Sequence, residues 1–320
     1  MKIISLEEIR GVFNTEAVLS AGRAAFIGHF HQRYVTPMPG QLLFDSPPGD
    51  CHIKFGYRKS GPIVAIKIAT GFYENAYRGL PVNSGMVLVL NRETGIPLAL
   101  LQDEGWLTSW RTAAAGTLAA SLAAPLAPEV LGIFGAGHQA ELQAHWITKA
   151  MGIREIRIWA RNTAQSQQLA YTLSQAGLEA KACQHTCEVL DEARLVVTTT
   201  PSKMPLFPAS EVHPGTHIIA LGADGLGKQE LDPLLFKKAT LIATDDHEQC
   251  LDHGDFAHAV KGGYVRHDAD QNLGLLLENF SKFRSTSTDI SIVDLTGIPA
   301  QDVENATTFC RLLGLLDFSP

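Results

Sequence analysis

The chain has 320 residues, of which 45% are hydrophobic and 18% are charged, and its formal net charge is −7. This length allows two domains and a large core, and the negative balance gives no reason to expect nucleic acid or an anionic membrane surface as a partner. No apolar run is long enough to span a bilayer, and the acidic residues within positions 1–8 argue against a signal peptide. The five scattered cysteines favour free thiols in a reducing cytoplasm.

The first third of the chain is predicted to form an antiparallel sheet that follows a helix over residues 15–33. Short apolar strands alternate with turns, and residues 91–95 are typical of a hairpin turn. An alanine-rich helix over residues 111–124 follows, and its small side chains permit close packing. The predicted strands are 42–44, 52–56, 63–68, 86–90 and 96–102.

From residue 131 onward, strands alternate with helices, which favours a parallel sheet covered by helices on both faces. The predicted strands are 130–134, 155–159, 195–199, 217–221, 241–244 and 290–295, with helices over 139–150, 164–176 and 300–315. The predicted fold class is therefore α/β. A Rossmann domain covers residues 117–299, and an antiparallel α+β domain covers residues 1–116 together with 300–320.

Residues 135–140 have the pattern GxGxxA between a predicted strand and a predicted helix, which is typical of a dinucleotide-binding turn. Gly135 allows the tight turn, Gly137 lets the backbone approach a pyrophosphate, and Ala140 lets the helix lie close to the strand. The helix N-terminus then offers N–H groups to the phosphates. The candidate cofactor-binding residues of this turn are Gly135, Ala136, Gly137, His138, Gln139 and Ala140.

The end of the second strand of such a fold distinguishes NAD from NADP, because an acidic residue there binds the ribose 2′-hydroxyl. Here the strand is followed by Arg161 and Asn162, with no carboxylate. A guanidinium suits a 2′-phosphate, so the sequence favours NADP(H), with NAD(H) as the other possibility and a solvated surface arginine as the alternative for Arg161. Thr199 and Thr200, at the end of the third strand, complete the candidate cofactor site.

Three charged residues stand where a ligand is expected. Asp224 follows the strand over 217–221, at the edge where open α/β sheets bind ligands, although an Asp there could instead cap a helix. Lys67 lies inside an apolar strand, where an unpaired charge is costly; an outward-facing lysine is the alternative. Arg111 opens the alanine-rich helix at the domain junction and suits bidentate carboxylate binding. Asp224 and Lys67 are the candidate catalytic residues.

The acidic stretch over residues 245–255 contains metal-ligand residue types but none of the usual metal-binding spacings. A solvated acidic helix start and loop is therefore favoured over a metal site, and no metal is expected.

Four sequence signatures together resemble the ornithine cyclodeaminase/mu-crystallin family, over essentially the full length of the chain. The third signature is particularly similar to archaeal alanine dehydrogenases of this family and also to bacterial ornithine cyclodeaminases. The matching segments are 107–115, 135–140, 222–232 and 294–297.

This resemblance implies a homodimer built by the antiparallel domain. It also implies an amino or imino acid as substrate, bound between the domains against the nicotinamide. The family's substrate-binding lysine and arginine match Lys67 and Arg111, and its catalytic aspartate matches Asp224. Lys228 and the pair Thr296 and Gly297 match positions near the cofactor.

Two differences from the family pattern narrow the range of possible substrates. The arginine that many members carry before the first strand is missing from residues 36–41. Lys54 stands where ornithine cyclodeaminases carry a glutamate facing the distal amine, and a lysine would repel a second ammonium. Lys54 could instead bind a carboxylate in place of the missing arginine. Ectoine-utilisation cyclodeaminase-like proteins resemble this stretch, including Lys54, Phe72 and Asn75.

The sequence thus favours an NADP(H)-preferring reductase or dehydrogenase of an α-imino or α-amino acid. Arg111, Lys67 and Lys54 would hold the substrate carboxylate, and Asp224 would exchange a proton with the substrate nitrogen. The alternative is a cyclodeaminase, in which bound NAD⁺ oxidises a diamino acid, ammonia leaves and no net redox change occurs. A third hypothesis is a binding protein without catalysis, as in the hormone and lens roles of mu-crystallin.

Overall fold

The computed structural model describes residues 1–123, 127–279 and 286–316. The chain forms two compact units, of which the first contains Met1–Thr112 and Ile298–Pro320 and the second contains Ala113–Gly297. Position 124, the predicted end of the alanine-rich helix, and positions 317–320 of the predicted first domain lie outside the described residues. The assignment of substrate binding to the first unit stays a prediction.

The first unit contains a seven-stranded sheet in the order β1-β7-β6-β5-β4-β2, with β3 paired to β4. All of these pairs are antiparallel except β1 with β7, which run parallel. β1 lies in the N-terminal segment, for which no strand was predicted. The sheet is therefore mixed rather than purely antiparallel. Its strands are β1 (Lys2–Ile4), β2 (Tyr34–Val35), β3 (Gly40–Asp45), β4 (Pro48–Arg58), β5 (Ile63–Gly71), β6 (Asn83–Asn91) and β7 (Pro97–Leu101).

Helices with clear start signals accompany this sheet. Ser5 and Glu8 form a capping box at the start of the first helix, and Asn14 caps the second. The last helix begins with Pro299, whose missing N–H costs nothing in the first turn. The helices are α1 (Leu6–Gly11), α2 (Thr15–Phe30), the start of α3 (Trp106–Ser121), and α11 (Pro299–Leu312), with a 3₁₀ helix over Tyr73–Arg78.

The second unit contains an eight-stranded parallel sheet in the order β10-β9-β8-β11-β12-β15-β13-β14. Six of its strands are the predicted ones, and the two short outer strands β10 and β14 were missed. The strands are β8 (Val130–Phe134), β9 (Glu155–Trp159), β10 (Glu179–Ala182), β11 (Leu195–Thr198), β12 (His217–Ala220), β13 (Leu241–Thr244), β14 (Asp270–Asn272) and β15 (Ser291–Asp294).

The helices of the second unit begin with the end of α3 and continue along the chain between the strands. They are α4 (His138–Met151), α5 (Thr163–Gln175), α6 (Thr186–Glu192), α7 (Pro233–Lys238), α8 (His247–Asp252), α9 (Asp255–Lys261) and α10 (Leu273–Glu278). Among the described residues, every helix falls short of the length and apolar character that a bilayer crossing requires.

The order of the parallel strands fixes where a ligand can bind in the second unit. From β8 the chain proceeds to β9 and β10 on one side and then returns to β11 on the other side. Parallel α/β sheets bind ligands at such a reversal, beyond the carboxyl ends of the two central strands. The expected crevice therefore lies after Phe134 of β8 and after Thr198 of β11.

Candidate active site

The turn after β8 has the geometry that the glycine pattern predicts. Gly135 adopts φ = +125°, and a Cβ there would lie 2.5 Å from Thr199 Oγ1, so only glycine fits. At Gly137 a Cβ would meet no atom within 4 Å, which leaves open space beside the backbone. Gly137 is the N-cap of α4, and a glycine has no side chain with which to cap the helix start. The N-terminus of α4 is therefore available to an anionic group.

A cavity of about 520 Å³ adjoins this turn at the strand reversal. No carboxylate stands among the described residues that line it, whereas Arg161 does, so the wall suits a negatively charged ligand. Together with the open helix start, these features fit a dinucleotide. The lining residues are Gly135, Ala136, Gly137, Trp159, Ala160, Arg161, Asn162, Gln165, Thr199, Thr200, Pro201 and Leu206.

The cavity thus brings together seven of the predicted cofactor residues. The other predicted residues lie in the first turn of α4 or on the loops after β12 and β15. His138, Gln139 and Ala140 form the first turn of α4, where Ala140 is fully buried. Asn162 caps α5 by accepting a hydrogen bond from the backbone N–H of Ala164 at 3.1 Å. Arg161 is exposed, and its binding to the 2′-phosphate of NADP(H) stays a prediction.

A buried glutamate that the sequence analysis missed ties the strand ends at this crevice together. Glu230 accepts hydrogen bonds from Thr200 N at 2.6 Å, Gly222 N at 2.7 Å and Thr198 Oγ1 at 2.6 Å. Because Thr200 follows β11 and Gly222 follows β12, the carboxylate fixes the two loops against each other. Glu230 lies outside any strand or helix, so no periodicity in the sequence marked it as buried.

Asp224 lies on the loop after β12, as predicted, and its side chain is 46% exposed. Lys228 Nζ donates a hydrogen bond to Asp224 Oδ1 at 2.7 Å. The alternative that Asp224 caps a helix is wrong, because the next helix is α7 and its cap is Asp232. Asp224 therefore presents a partly exposed carboxylate that an ammonium orients.

Thr296 and Gly297, predicted near the cofactor, are held by Asp245. The carboxylate of Asp245 accepts hydrogen bonds from Gly297 N at 2.6 Å, Thr296 Oγ1 at 3.1 Å and Thr296 N at 3.2 Å. This carboxylate thus fixes the loop after β15. Direct contact of Thr296 or Gly297 with the cofactor stays a prediction.

The interpretation of residues 245–255 as a solvated acidic loop is wrong for its two ends. Asp245 and Asp255 are each 1% exposed, because both accept backbone hydrogen bonds from segments that fold over them. Burial, followed by the charge of Glu230, raises the pKa of Asp255 to about 8. Within the described ranges, no group of three or more His, Cys, Asp or Glu residues could hold a metal ion.

A buried cation cluster lies in the first unit. Lys54 on β4 and Lys67 on β5 are directly opposite each other, and they are 4% and 2% exposed. Lys67 Nζ forms an ion pair with Asp302 Oδ1 of α11 at 3.0 Å. The alternative of an outward-facing Lys67 is therefore wrong, and the partner that a buried lysine requires is Asp302.

Arg111 joins this cluster from α3. Its Nε lies 3.6 Å from Asp302 Oδ1, and its Nη1 donates to Gln301 Oε1 at 3.3 Å. Arg111 does not open the helix, because α3 begins at Trp106, where Asp103 Oδ2 accepts a hydrogen bond from Leu107 N at 2.9 Å. Arg111 therefore lies in the second turn of α3, beyond the first turn in which the helix dipole disfavours a cation.

The charges of the cluster act on one another strongly. Burial lowers the pKa of Lys67, Asp302 opposes this, and Arg111 and Lys54 lower it further, to about 7. Burial raises the pKa of Asp302, but the cations Lys67, Arg111 and Lys54 outweigh it, so this pKa lies below its usual range. The sequence analysis did not find Asp302. It indicated that a buried Lys67 needs an acidic partner, but not which carboxylate this is.

Comparisons with known proteins identify the family and the fold of this chain. A family profile described as "Ornithine cyclodeaminase/mu-crystallin family" matches residues 48–310. An uncharacterized cyclodeaminase of Sinorhizobium fredii is 37% identical over 84% of this chain and 83% of its own length. An archaeal alanine dehydrogenase dimer with bound NAD superposes with a TM-score of 0.89, at 29% identity over 98% of this chain and 95% of that one. The iminosuccinate reductase of Paracoccus denitrificans in complex with NAD⁺ gives 0.87, at 28% identity over 98% and 96%.

Proposed function

Because the chain belongs to the ornithine cyclodeaminase/mu-crystallin family, we propose that it is an NAD(P)(H)-dependent oxidoreductase of α-amino and α-imino acids. In the favoured direction it reduces the C=N bond of an α-imino acid to the corresponding amine. An iminosuccinate reductase and an alanine dehydrogenase among its relatives act on substrates of this kind.

The observation that carries the proposal is the buried cation cluster of the first unit. The cations Lys54, Lys67 and Arg111 act on one another there, and the Asp302 carboxylate lies 3.0 Å from Lys67 Nζ and 3.6 Å from Arg111 Nε. Buried cations favour an anionic ligand, because burying charge without an opposite charge beside it is costly. A substrate carboxylate is such a ligand, and the Arg111 fork suits it.

The second unit supplies the cofactor site. The open N-terminus of α4 and the cavity beside Gly135 and Gly137 would hold the dinucleotide. When bound, the nicotinamide supplies hydride to the imino carbon, or accepts it in the reverse direction.

Asp224 would provide proton exchange with the substrate nitrogen. Its carboxylate is partly exposed, so it can reach a ligand, and the hydrogen bond from Lys228 keeps it oriented. A positioned carboxyl group of this kind is worth about 10²–10⁴-fold in a proton-transfer step.

The function is tested by incubating wild-type protein with a panel of cyclic and acyclic α-imino acids and NADPH, while following the loss of absorbance of the reduced nicotinamide. We expect net oxidation of NADPH with at least one α-imino carboxylate, and none with an imine that lacks the carboxylate. NADPH binding without turnover across the whole panel would instead favour the binding-protein hypothesis.

The alternative is a cyclodeaminase, which one relative's name supports. Its substrate carries a second ammonium, and Lys54, buried opposite Lys67, repels a charge of that sign. Ammonia release from a diamino acid without added reductant would select the cyclodeaminase.

We further propose that the cofactor is NADP(H) rather than NAD(H), because Arg161 lines the cavity and the other described lining residues include no carboxylate. The two solved relatives carry NAD, so this proposal is supported by the residues of this chain alone.

Arg161→Ala is expected to lower kcat/KM for NADPH, relative to kcat/KM for NADH, about 10- to 100-fold. The reason is the loss of one charge-assisted contact, which is worth about 1.5–3 kcal/mol. Arg154→Ala, on an exposed residue before β9 that does not line the cavity, should leave this ratio unchanged. A wild-type KM lower for NADH than for NADPH would overturn the preference.

We also propose a homodimer in the cytoplasm. The archaeal relative is a dimer, and β3, at the side of the sheet, exposes the apolar residues Leu42, Leu43 and Phe44, which a partner subunit would cover. The five cysteines are free thiols, which fits a reducing compartment.

A further inference from the structure

Asp302 contacts both of the cations that are proposed to bind the substrate carboxylate. Its Oδ1 lies 3.0 Å from Lys67 Nζ and 3.6 Å from Arg111 Nε. All three side chains are at least nine-tenths buried. Asp302 Oδ2 and Arg111 Nε have no hydrogen-bond partner within the described part of the chain. Asp302 therefore interacts with Arg111 through the attraction of opposite charges, and not through a bidentate hydrogen bond.

The Lys67 ammonium is surrounded by charged groups from four other segments. Lys54 faces it from β4, Arg111 from α3, Asp103 from the segment before α3, and Asp302 from α11. Only the Asp302 carboxylate forms an ion pair with Lys67 among the described residues. Two neighbouring cations favour loss of the Lys67 proton, and Asp302 is the contact that most opposes it.

We propose that Asp302 is a positioning residue, which fixes the Lys67 ammonium and keeps it protonated between two other cations, so that Lys67 can bind the anionic group of the substrate. This inference rests on the proposed function, because it assumes that Lys67 binds a carboxylate. It extends that function by assigning a role to a residue that contacts Lys67 and Arg111 and not the reacting atoms.

A pH dependence follows from this arrangement. A protonated Lys67 attracts a carboxylate, whereas the neutral amine does not, so substrate affinity is linked to one proton. Because the pKa of Lys67 is about 7, the KM of the wild type should rise above that pH. The limiting slope is about tenfold per pH unit. Without the Asp302 charge, Lys67 loses its proton at a lower pH, and the rise should begin earlier.

The test is Asp302→Asn, with the KM of an α-imino acid and kcat measured from pH 5.5 to 9.5 at saturating NADPH. We expect the rising limb of the variant's KM profile to move by about one pH unit or more to lower pH, so that KM at pH 8 is about tenfold or more above wild type. The value of kcat should change less than KM. An unshifted KM profile would contradict the proposal.

Two control variants separate charge from structure. In a Lys67→Arg background the side chain no longer titrates in this range, so adding Asp302→Asn should produce no shift. Glu304→Gln removes another buried carboxylate of α11, which accepts a hydrogen bond from Tyr34 at 2.6 Å and pairs with Arg58 at 3.4 Å. Its profile should match wild type. A shift of equal size in Glu304→Gln, or one that persists in the Lys67→Arg background, would show that Asp302 does not act through Lys67.

Thermal unfolding tests the inference independently of turnover. Folding lowers the pKa of Lys67 to about 7. Above that pH the unfolded chain therefore binds more protons than the folded chain. The free-energy cost of burying Lys67 decreases as the pH rises further. The loss in Tm caused by Asp302→Asn should therefore be largest at pH 5–6 and shrink as the pH rises through about 7. If no imino acid is turned over, the proposed function fails, while this pH-dependent loss still supports the role of Asp302. A loss that is the same at every pH contradicts it.

Discussion

Asp224→Asn is expected to lower kcat about 10²–10⁴-fold while leaving the Kd of NADPH nearly unchanged. The asparagine has almost the same shape and can still accept a hydrogen bond from Lys228, which now donates to Asp224 Oδ1 at 2.7 Å. It cannot exchange a proton with the substrate nitrogen. Steady-state turnover of an α-imino acid and titration of NADPH binding by fluorescence measure the two quantities separately.

The matched control for this variant is Asp252→Asn. The Asp252 side chain is 54% exposed, close to the 46% of Asp224, and it also accepts a hydrogen bond from a basic side chain, His253 Nδ1 at 2.9 Å. Removing its charge should leave kcat at the wild-type value. Full activity in Asp224→Asn would remove Asp224 from the mechanism, and an equal loss in Asp252→Asn would show that the effect is one of overall charge.

Arg111→Met is expected to raise the KM of the imino acid about 10- to 100-fold, since a hydrogen bond to a charged group is worth about 1.5–3 kcal/mol. The fold should tolerate this change. Methionine fills a similar volume, and its introduction removes one of the cations that lower the pKa of Lys67. The remaining Lys67–Asp302 ion pair then has balanced charge. KM with saturating NADPH, together with the Tm, measures both effects.

Arg58→Met is the corresponding control in the same unit. Arg58 Nη1 also lies near a carboxylate of α11, at 3.4 Å from Glu304 Oε1, but Arg58 is outside the Lys67 cluster. Its replacement should leave KM unchanged. An unchanged KM in Arg111→Met would contradict carboxylate binding by this arginine.

The parallel sheet of the second unit was predictable because its buried strands have a clear sequence pattern. The strands β8 and β9 match their predicted ends. β8 is a short apolar run that a glycine turn follows, and β9 alternates charged residues with buried isoleucines before a polar loop. The outer strands β10 and β14 were missed, because an edge strand needs less apolar character. Glu179–Ala182, for example, has no apolar side chain larger than alanine.

The charged partners of the candidate site were less predictable than the site residues themselves. The apolar neighbours of Lys67 predicted that it needs a counter-ion, but Asp302 lies more than two hundred positions away in the chain. Likewise, Asp245 and Glu230 take part in tertiary hydrogen bonds to loops that the sequence does not place beside them. A local pattern indicates that a buried charge must be compensated, while the fold decides which residue does so.

The start of α3 shows how a local signal can be overlooked. The alanine-rich run predicted a helix from Arg111, whereas Asp103 caps a helix that already begins at Trp106. The aromatic residues Trp106 and Trp110 pack against Phe13 and belong to the helix despite their modest helix propensity. Tertiary packing therefore extended the helix and moved Arg111 from its end to its interior.

The most direct test of the proposed function follows the α-hydrogen of the product. Wild-type protein is incubated with an α-imino acid and NADPH deuterated at nicotinamide C4, with each epimer in a separate reaction, and the product is analysed by mass spectrometry. We expect one epimer to give an amino acid with a single deuterium at its α-carbon and one NADPH to be consumed for each product molecule. Unlabelled product from both epimers, or ammonia release from a diamino acid with no net consumption of NADPH, would contradict the proposed function.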